Sequence, residues 1–332
     1  MQGMICVYVS LQQHARGLSQ CSSLLSVQDQ GGRFIARLGR RAERMICMDD
    51  MNLEKLLKEL KREKIDADRI TLTKNGVICR GIRVSLGDGT GVSPIVYYSQ
   101  GDTLEELYAR VHRAIAMADP SEMKNLVQLL RDWDYVKQHV VLSVCRDDAV
   151  DPAWISRDYL NVTVSMRVMM DADNFENAGI YVTRSYAEEM GFSVGALWNA
   201  ARENSSTGYQ VEPLSEVIGV DSDDPDLLYV VCGRVENGAT ALLYKEIFRR
   251  FCDDHDEPWC YILPSSTEEV LILPGQEADM LLSVQEMAQM VQTINREQVA
   301  PEIRLTPSVY RYDREQDEIS VEYSIVEEDH DE

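Results

Sequence analysis

Twelve consecutive residues, YLNVTVSMRVMM at 159–170, alternate without a break. Leu160, Val162, Val164, Met166, Val168 and Met170 fall on one side. Tyr159, Asn161, Thr163, Ser165, Arg167 and Met169 fall on the other. A period of two is that of a β-strand, and polar residues on one face mean that only the other is buried. Such strands belong to antiparallel sheets covered on a single side. Elsewhere the period changes. NLEKLLKELKREK places Leu53, Leu56, Leu57 and Leu60 on one helical stripe. The two patterns together predict an α+β chain with mainly antiparallel sheets.

The same reasoning divides the chain. Residues 51–150 read as helix, three strands, two helices and a strand, an N-terminal α+β domain. Its first two strands, RITLTK and GVICRGIRVSL, are separated by Asn75-Gly76, the two-residue hairpin signal that needs positive φ at both positions. A helix follows in DTLEELYARVHRAIAMA, with Asp102 or Thr103 as N-cap and Glu105 or Glu106 in its first turn. Residues 151–325 form a C-terminal α+β domain, in which Ser193 caps a helix. Its last block is ordered β (227–233), α (239–252), β (259–264), β (269–273), α (280–296), β (308–313). That order is the ferredoxin-like split unit, with both helices on one face of the sheet. The strand EISVEYSI and an acidic tail, 326–332, complete the chain.

Residues 1–50 differ. Six arginines, no lysine and four acids leave them at +2, so the net charge of −23 puts −25 on the remainder. GGRFIARLGRRAER has the composition of a basic amphipathic helix. We expect instead a poorly ordered or misannotated extension, with the true start at Met48 or Met51.

A charge of −23 disfavours direct contact with nucleic acid or an anionic membrane, because both require clustered Lys and Arg. No apolar run approaches the ~20 residues of a membrane span. No export signal is legible at the N-terminus, so a cytoplasmic location is expected. The eight cysteines are scattered, which suits reduced thiols better than a disulfide framework.

No motif completes a chemistry. Gly87, Gly89 and Gly91 lie between strands, where a phosphate loop would need Gly-Lys-Ser/Thr opening a helix. The acidic runs DADNFE (Asp171, Asp173, Glu176) and DSDDPD (Asp221, Asp223, Asp224, Asp226) lack the glycine and glutamate positions of a calcium loop. Cys252, His255 and Cys260 lack the second ligand pair that zinc sites use. Neither a metal nor another cofactor is expected. Ser265 and Ser266, in PWCYILPSSTEEVLILP, are the nearest thing to a nucleophile. They have no flanking glycine, a strand follows instead of a helix, and no histidine motif accompanies them. A hairpin turn after Pro264 accounts for them.

The run DLLYVVCGRVENGATALLYKEIFRRF, the segment YILPSSTEEVLILP and the run INREQVAPEIRLTPSVYRYDRE resemble the bacterial family called domain of unknown function 5688. The resemblance extends back through DWDYVKQHVVLSVC and covers roughly residues 51–315, not 1–50. Its strongest motifs are ILPSS-x-x-EV-x-ILP, the NGA before one helix and the VAP after the last. It implies a bacterial chain, carried by a Clostridia-like gut bacterium or its mobile element, with no established activity. The family pattern often has a histidine where this sequence has Glu268, a departure that weighs against catalysis.

The resulting expectation is a non-catalytic binding or accessory protein with a protein partner. Its working surface is expected at Glu268 and Glu269 on the hairpin and at Asp171, Asp173 and Glu176 on the acidic loop. The alternatives are a hydrolase or transferase using Ser265 or Ser266, and an acidic DNA mimic acting on a DNA-binding protein.

Overall fold

The computed structural model describes residues 53–86, 93–98, 102–118, 120–170, 179–219, 227–233, 238–264 and 266–325. Outside them lie the extension 1–50, the glycine turn 87–91, the loop with Asp171, Asp173 and Glu176, the link 221–226, Ser265 and the tail 326–332. The fold is α+β, with antiparallel sheets throughout.

Helix α1 (53–62) buries the leucine stripe, with Leu53, Leu56 and Leu60 wholly enclosed. It packs with α2 (Leu104–Met117) on a three-stranded sheet of β1 (Asp66–Lys74), β2 (Val77–Ser85) and β3 (Ile95–Tyr97), in that order. The expected hairpin is present, with Asn75 at φ +46° and Gly76 at +77°. Of the two candidate caps for α2, Thr103 takes the position. Its hydroxyl accepts from the Glu106 amide at 3.2 Å, and the Glu106 carboxylate accepts from the Thr103 amide at 2.9 Å.

Next come α3 (Pro120–Leu129), α4 (Trp133–His139), β4 (Val140–Arg146), β5 (Ser156–Tyr159), β6 (Val162–Met169) and β7 (Gly179–Tyr181). Strand β6 is central, pairing with β4 on one side and with β5 and β7 on the other. This sheet straddles residue 150, where the sequence pattern placed a division. Two details depart from the alternation at 159–170. The strand begins at Val162, because Tyr159 pairs with Val162 across a tight turn at Leu160 (φ +53°) and Asn161. The polar face is also covered at its centre, where Thr163 is 2% and Ser165 0% exposed. Their hydroxyls are satisfied by Asp147 Oδ1 at 3.0 Å and the Ser143 carbonyl at 3.4 Å, which is what allows polar groups to be buried.

The remainder comprises α5 (Arg184–Met190), α6 (Val194–Asn204), β8 (Gln210–Pro213), α7 (Leu214–Ile218), β9 (Tyr229–Cys232) and a 3-10 stretch, Gly238–Leu243. Then follow α8 (Lys245–Asp254), β10 (Trp259–Leu263), β11 (Glu269–Pro274), α9 (Gly275–Leu281), α10 (Val284–Glu297), β12 (Ser308–Asp313) and β13 (Glu318–Ser324). They build a six-stranded sheet in the order β13-β12-β10-β11-β9-β8.

The βαββαβ succession is there, but the one-sided ferredoxin-like arrangement is not. Phe248, Phe251 and Cys252 of α8 join the cluster of Cys260, Ile262, Val270 and Ile272. Met287, Ala288 and Val291 of α10 join Tyr261, Leu263, Leu271 and Leu273. These are opposite faces of β10 and β11, since neighbouring residues along a strand point opposite ways. Both strands are buried on both sides, so their sequences, WCYIL and EVLILP, are continuous apolar runs.

One ion network pins the far edge. Asp317, at φ +53° in the β12–β13 turn, accepts from Arg249 and Lys245, each at 2.5 Å, and from the Tyr312 hydroxyl at 2.9 Å. Arg249 first and then Lys245 hold its carboxyl well below the usual carboxylate range. Among the described residues no helix is long and apolar enough to cross a membrane.

Candidate functional site

The motif segments named from sequence meet at one place. The turn between β10 and β11 is closed by Ser266, which is 3% exposed. Its Oγ accepts from the amides of Glu268 at 3.1 Å and Glu269 at 3.3 Å, the hydroxyl-to-backbone pattern of a serine turn. On one side Gly238 and Ala239 donate their amides to the carbonyls of Glu268 (2.8 Å) and Thr267 (3.2 Å). On the other, the Thr267 amide donates to the Ile303 carbonyl at 2.8 Å, and Ser266 bridges to Arg304. Arg304 is itself fixed, donating to the carbonyls of Val299 at 2.7 Å and Arg296 at 3.2 Å. The NGA, PSS-x-x-EV and VAP regions thus form a backbone clasp.

Asn75 extends this clasp to the N-terminal sheet. Its Nδ2 donates to the Arg304 carbonyl, and its Oδ1 accepts from the Arg146 amide at 3.0 Å. The hairpin signal Asn75-Gly76 therefore fixes a turn and also joins three segments far apart in sequence. That second role has no local sequence signature.

The clasp constrains what its side chains can do. Both acceptor positions of the Ser266 hydroxyl are turned to backbone amides, and no histidine bonds to it among the described residues. His139 and His255 place Nδ1 2.8 and 2.9 Å from carbonyls one turn earlier, and His112 Nε2 lies 3.1 Å from Glu63. Cys252 and Cys260 are both wholly buried, and burial pushes the Cys260 thiol up. Among the described residues no group of three or more His, Cys, Asp or Glu converges as metal ligands.

Glu268 and Glu269 are both half-buried. Glu269 opens β11 opposite Cys232. Burial, and then the neighbouring Glu268 charge, raise its carboxyl above the usual range. A raised carboxyl pKa means that the folded chain holds the proton more tightly than the unfolded chain. Its effect is therefore to lower stability as pH climbs through and above the carboxylate range. Glu269→Gln should raise Tm at pH 7 and leave it nearly unchanged at pH 3.5, read by thermal melts at the two pH values. An equal Tm for variant and parent at pH 7 would show the carboxylate to be fully solvated.

Two surface features were not anticipated. The helix expected at 280–296 is broken at Leu282, and Ser283 begins α10 with a capping box to Glu286. The S-x-x-E signal for that break was present in the sequence. It leaves Met280 and Leu281 at the end of α9, 78% and 66% exposed. The second is an open groove of about 620 Å³ between α1 and β1, legible only once the helix is placed on its sheet.

The family described as "Family of unknown function (DUF5688)" matches residues 50–314, and the chain belongs to it. No curated protein matches the chain, and no solved structure does.

Proposed function

We propose that this member of the family is a non-catalytic binding protein of the bacterial cytoplasm that docks a partner protein through the α9–α10 corner. The observation carrying this reading is the exposure of Met280 and Leu281, at 78% and 66%. Single apolar residues on a surface are ordinary, whereas adjacent large ones so far out of the core cost solvent exposure that a partner would relieve. With Glu277 they fall at i, i+3 and i+4, one face of α9. Covering both would contribute roughly 1.5–3 kcal/mol for each side chain. The net charge of −23 selects the partner chemistry, an apolar pocket ringed by Lys and Arg.

The test uses the full chain as bait at low and high salt, with Met280→Asp/Leu281→Asp beside the parent. The expected result is a stoichiometric partner retained by the parent, weakened by salt and lost from the double variant, with Tm unchanged. Retention of the same partner by the double variant would remove the corner from the proposal. Displacement of that partner by duplex DNA would favour the DNA-mimic alternative.

A further inference from the structure

We propose a second binding site, independent of the α9–α10 corner: the α1–β1 groove takes an extended acidic peptide of a partner protein, which adds to the sheet beside β1. Strand β1 is the edge of its sheet, pairing only with β2 among the described residues. The direction of its backbone groups follows from register. In β2, the Val84 amide donates to Pro94, and the Arg80 carbonyl accepts from Tyr98, so the even-numbered residues of β2 face β3. Their β1 partners include Ala67, Thr71 and Thr73. In an antiparallel ladder these residues point their amides and carbonyls away from β2, toward the side where a further strand would lie.

The groove adds specificity to that edge. Its floor is apolar, with Leu57 and Ile65 half-buried. Its rim carries exposed Lys58, Lys61 and Lys64. Lys64 is held there by backbone, at φ +64° in the turn after α1, where the Ile65 amide returns to the Leu60 carbonyl at 2.9 Å. Arg69 also lines the groove and pairs with Glu54 at 3.7 Å. Asp66 is the other acid present, so four cations face two carboxylates. A cationic groove on a chain of net charge −23 is an outlier, and its complement is an acidic strand. Alternate side chains of an added strand point the same way. An acidic and apolar alternation would set carboxylates toward the lysines or apolar groups toward the floor.

The probe is a fluorescein-labelled nine-residue peptide alternating Glu and Val, titrated with the full chain by anisotropy. A Lys-Val counterpart and a labelled oligothymidine serve as controls. Binding of the Glu-Val peptide alone is expected, weakening as salt rises. Lys58→Glu/Lys61→Glu should weaken it at least tenfold. Thr71→Pro should do the same by deleting one outward amide, at an edge position where proline is tolerated. Three results would overturn the proposal: no Glu-Val binding, equal binding of the Lys-Val peptide, or tighter binding of oligothymidine. Loss with the charge pair but not with Thr71→Pro would likewise reject strand addition in favour of simple charge attraction. The lysine variant lies on an exposed helix surface, so it remains informative if Thr71→Pro fails to fold.

Discussion

Gly238→Ala is expected to destabilise the chain by about 3 kcal/mol, the upper part of the range for forcing a methyl into a packed site. A Cβ at Gly238 would lie 2.1 Å from the Glu268 carbonyl oxygen, 2.9 Å from its carbon and 3.0 Å from the Glu269 Cα. All three are backbone atoms, so no rotamer change relieves the clash. The hairpin would have to withdraw from 238–239, and both hydrogen bonds across that gap, from the Gly238 and Ala239 amides to the Glu268 and Thr267 carbonyls, would lengthen. The bridge of Ser266 to Arg304 and the Thr267–Ile303 bond sit on the same few residues and would shift with it. Denaturant melts of the variant and of Gly195→Ala make the comparison. A Cβ at Gly195 in α6 would meet only the Ser193 hydroxyl, at 3.8 Å, and replacing a helical glycine gains up to about 1 kcal/mol. A Gly238→Ala cost below 1 kcal/mol would show the clasp to be compliant. A cost near 3 kcal/mol would account for a glycine in the NGA motif by close backbone approach alone.

How much of this was legible beforehand depends on the range of the interaction. Local devices were readable, among them the leucine stripe of α1, the Asn75-Gly76 turn and the acidic first turn of α2. Each is settled by residues within four positions of one another. The two-sided burial of β10 and β11 was also available, as unbroken apolar runs. The helix–strand order βαββαβ does not say on which face each helix lies. Leu160 misled the pattern differently. A leucine at φ +53° is costly, so strict alternation favoured reading the strand straight through it. The clasp was unreadable for a further reason. It is built from backbone amides and carbonyls, which every sequence has, and only the steric demand at Gly238 leaves a trace. The place of Glu268 and Glu269 beside a hairpin turn was legible, but their half-burial was not. The α1–β1 groove depends on how a helix seats on a sheet edge, which no local pattern encodes.

Beside Leu160, at φ +53°, Asn161→Ala is expected to destabilise the chain by about 3 kcal/mol, the upper end of the range for leaving a buried polar group without its partner. Asn161 lies in the β5–β6 turn and reaches across to the six-stranded sheet. Its Nδ2 lies 2.7 Å from the Ser308 hydroxyl, 3.4 Å from that of Thr306 and 3.5 Å from that of Ser324. Its Oδ1 accepts from the Tyr310 hydroxyl. Ser308 and Tyr310 are both 0% exposed, and burial pushes the Tyr310 phenol well above its usual value. Removing the amide strands the Tyr310 donor away from water and takes one partner from Ser308, and each unsatisfied buried group costs roughly 1–3 kcal/mol. Tyr310→Phe should cost less, about 1 kcal/mol, because the acceptor it leaves behind, Oδ1 of the half-buried Asn161, is within reach of water. The two changes share one bond, so the double variant should be less destabilised than the sum by about 1 kcal/mol or more. Urea melts of the four chains close the cycle. Strict additivity would mean that the Asn161–Tyr310 bond contributes nothing to docking the two sheets. The coupling would instead assign to one polar residue, read from sequence as the solvated face of a strand, the work of holding a strained turn against a buried tyrosine.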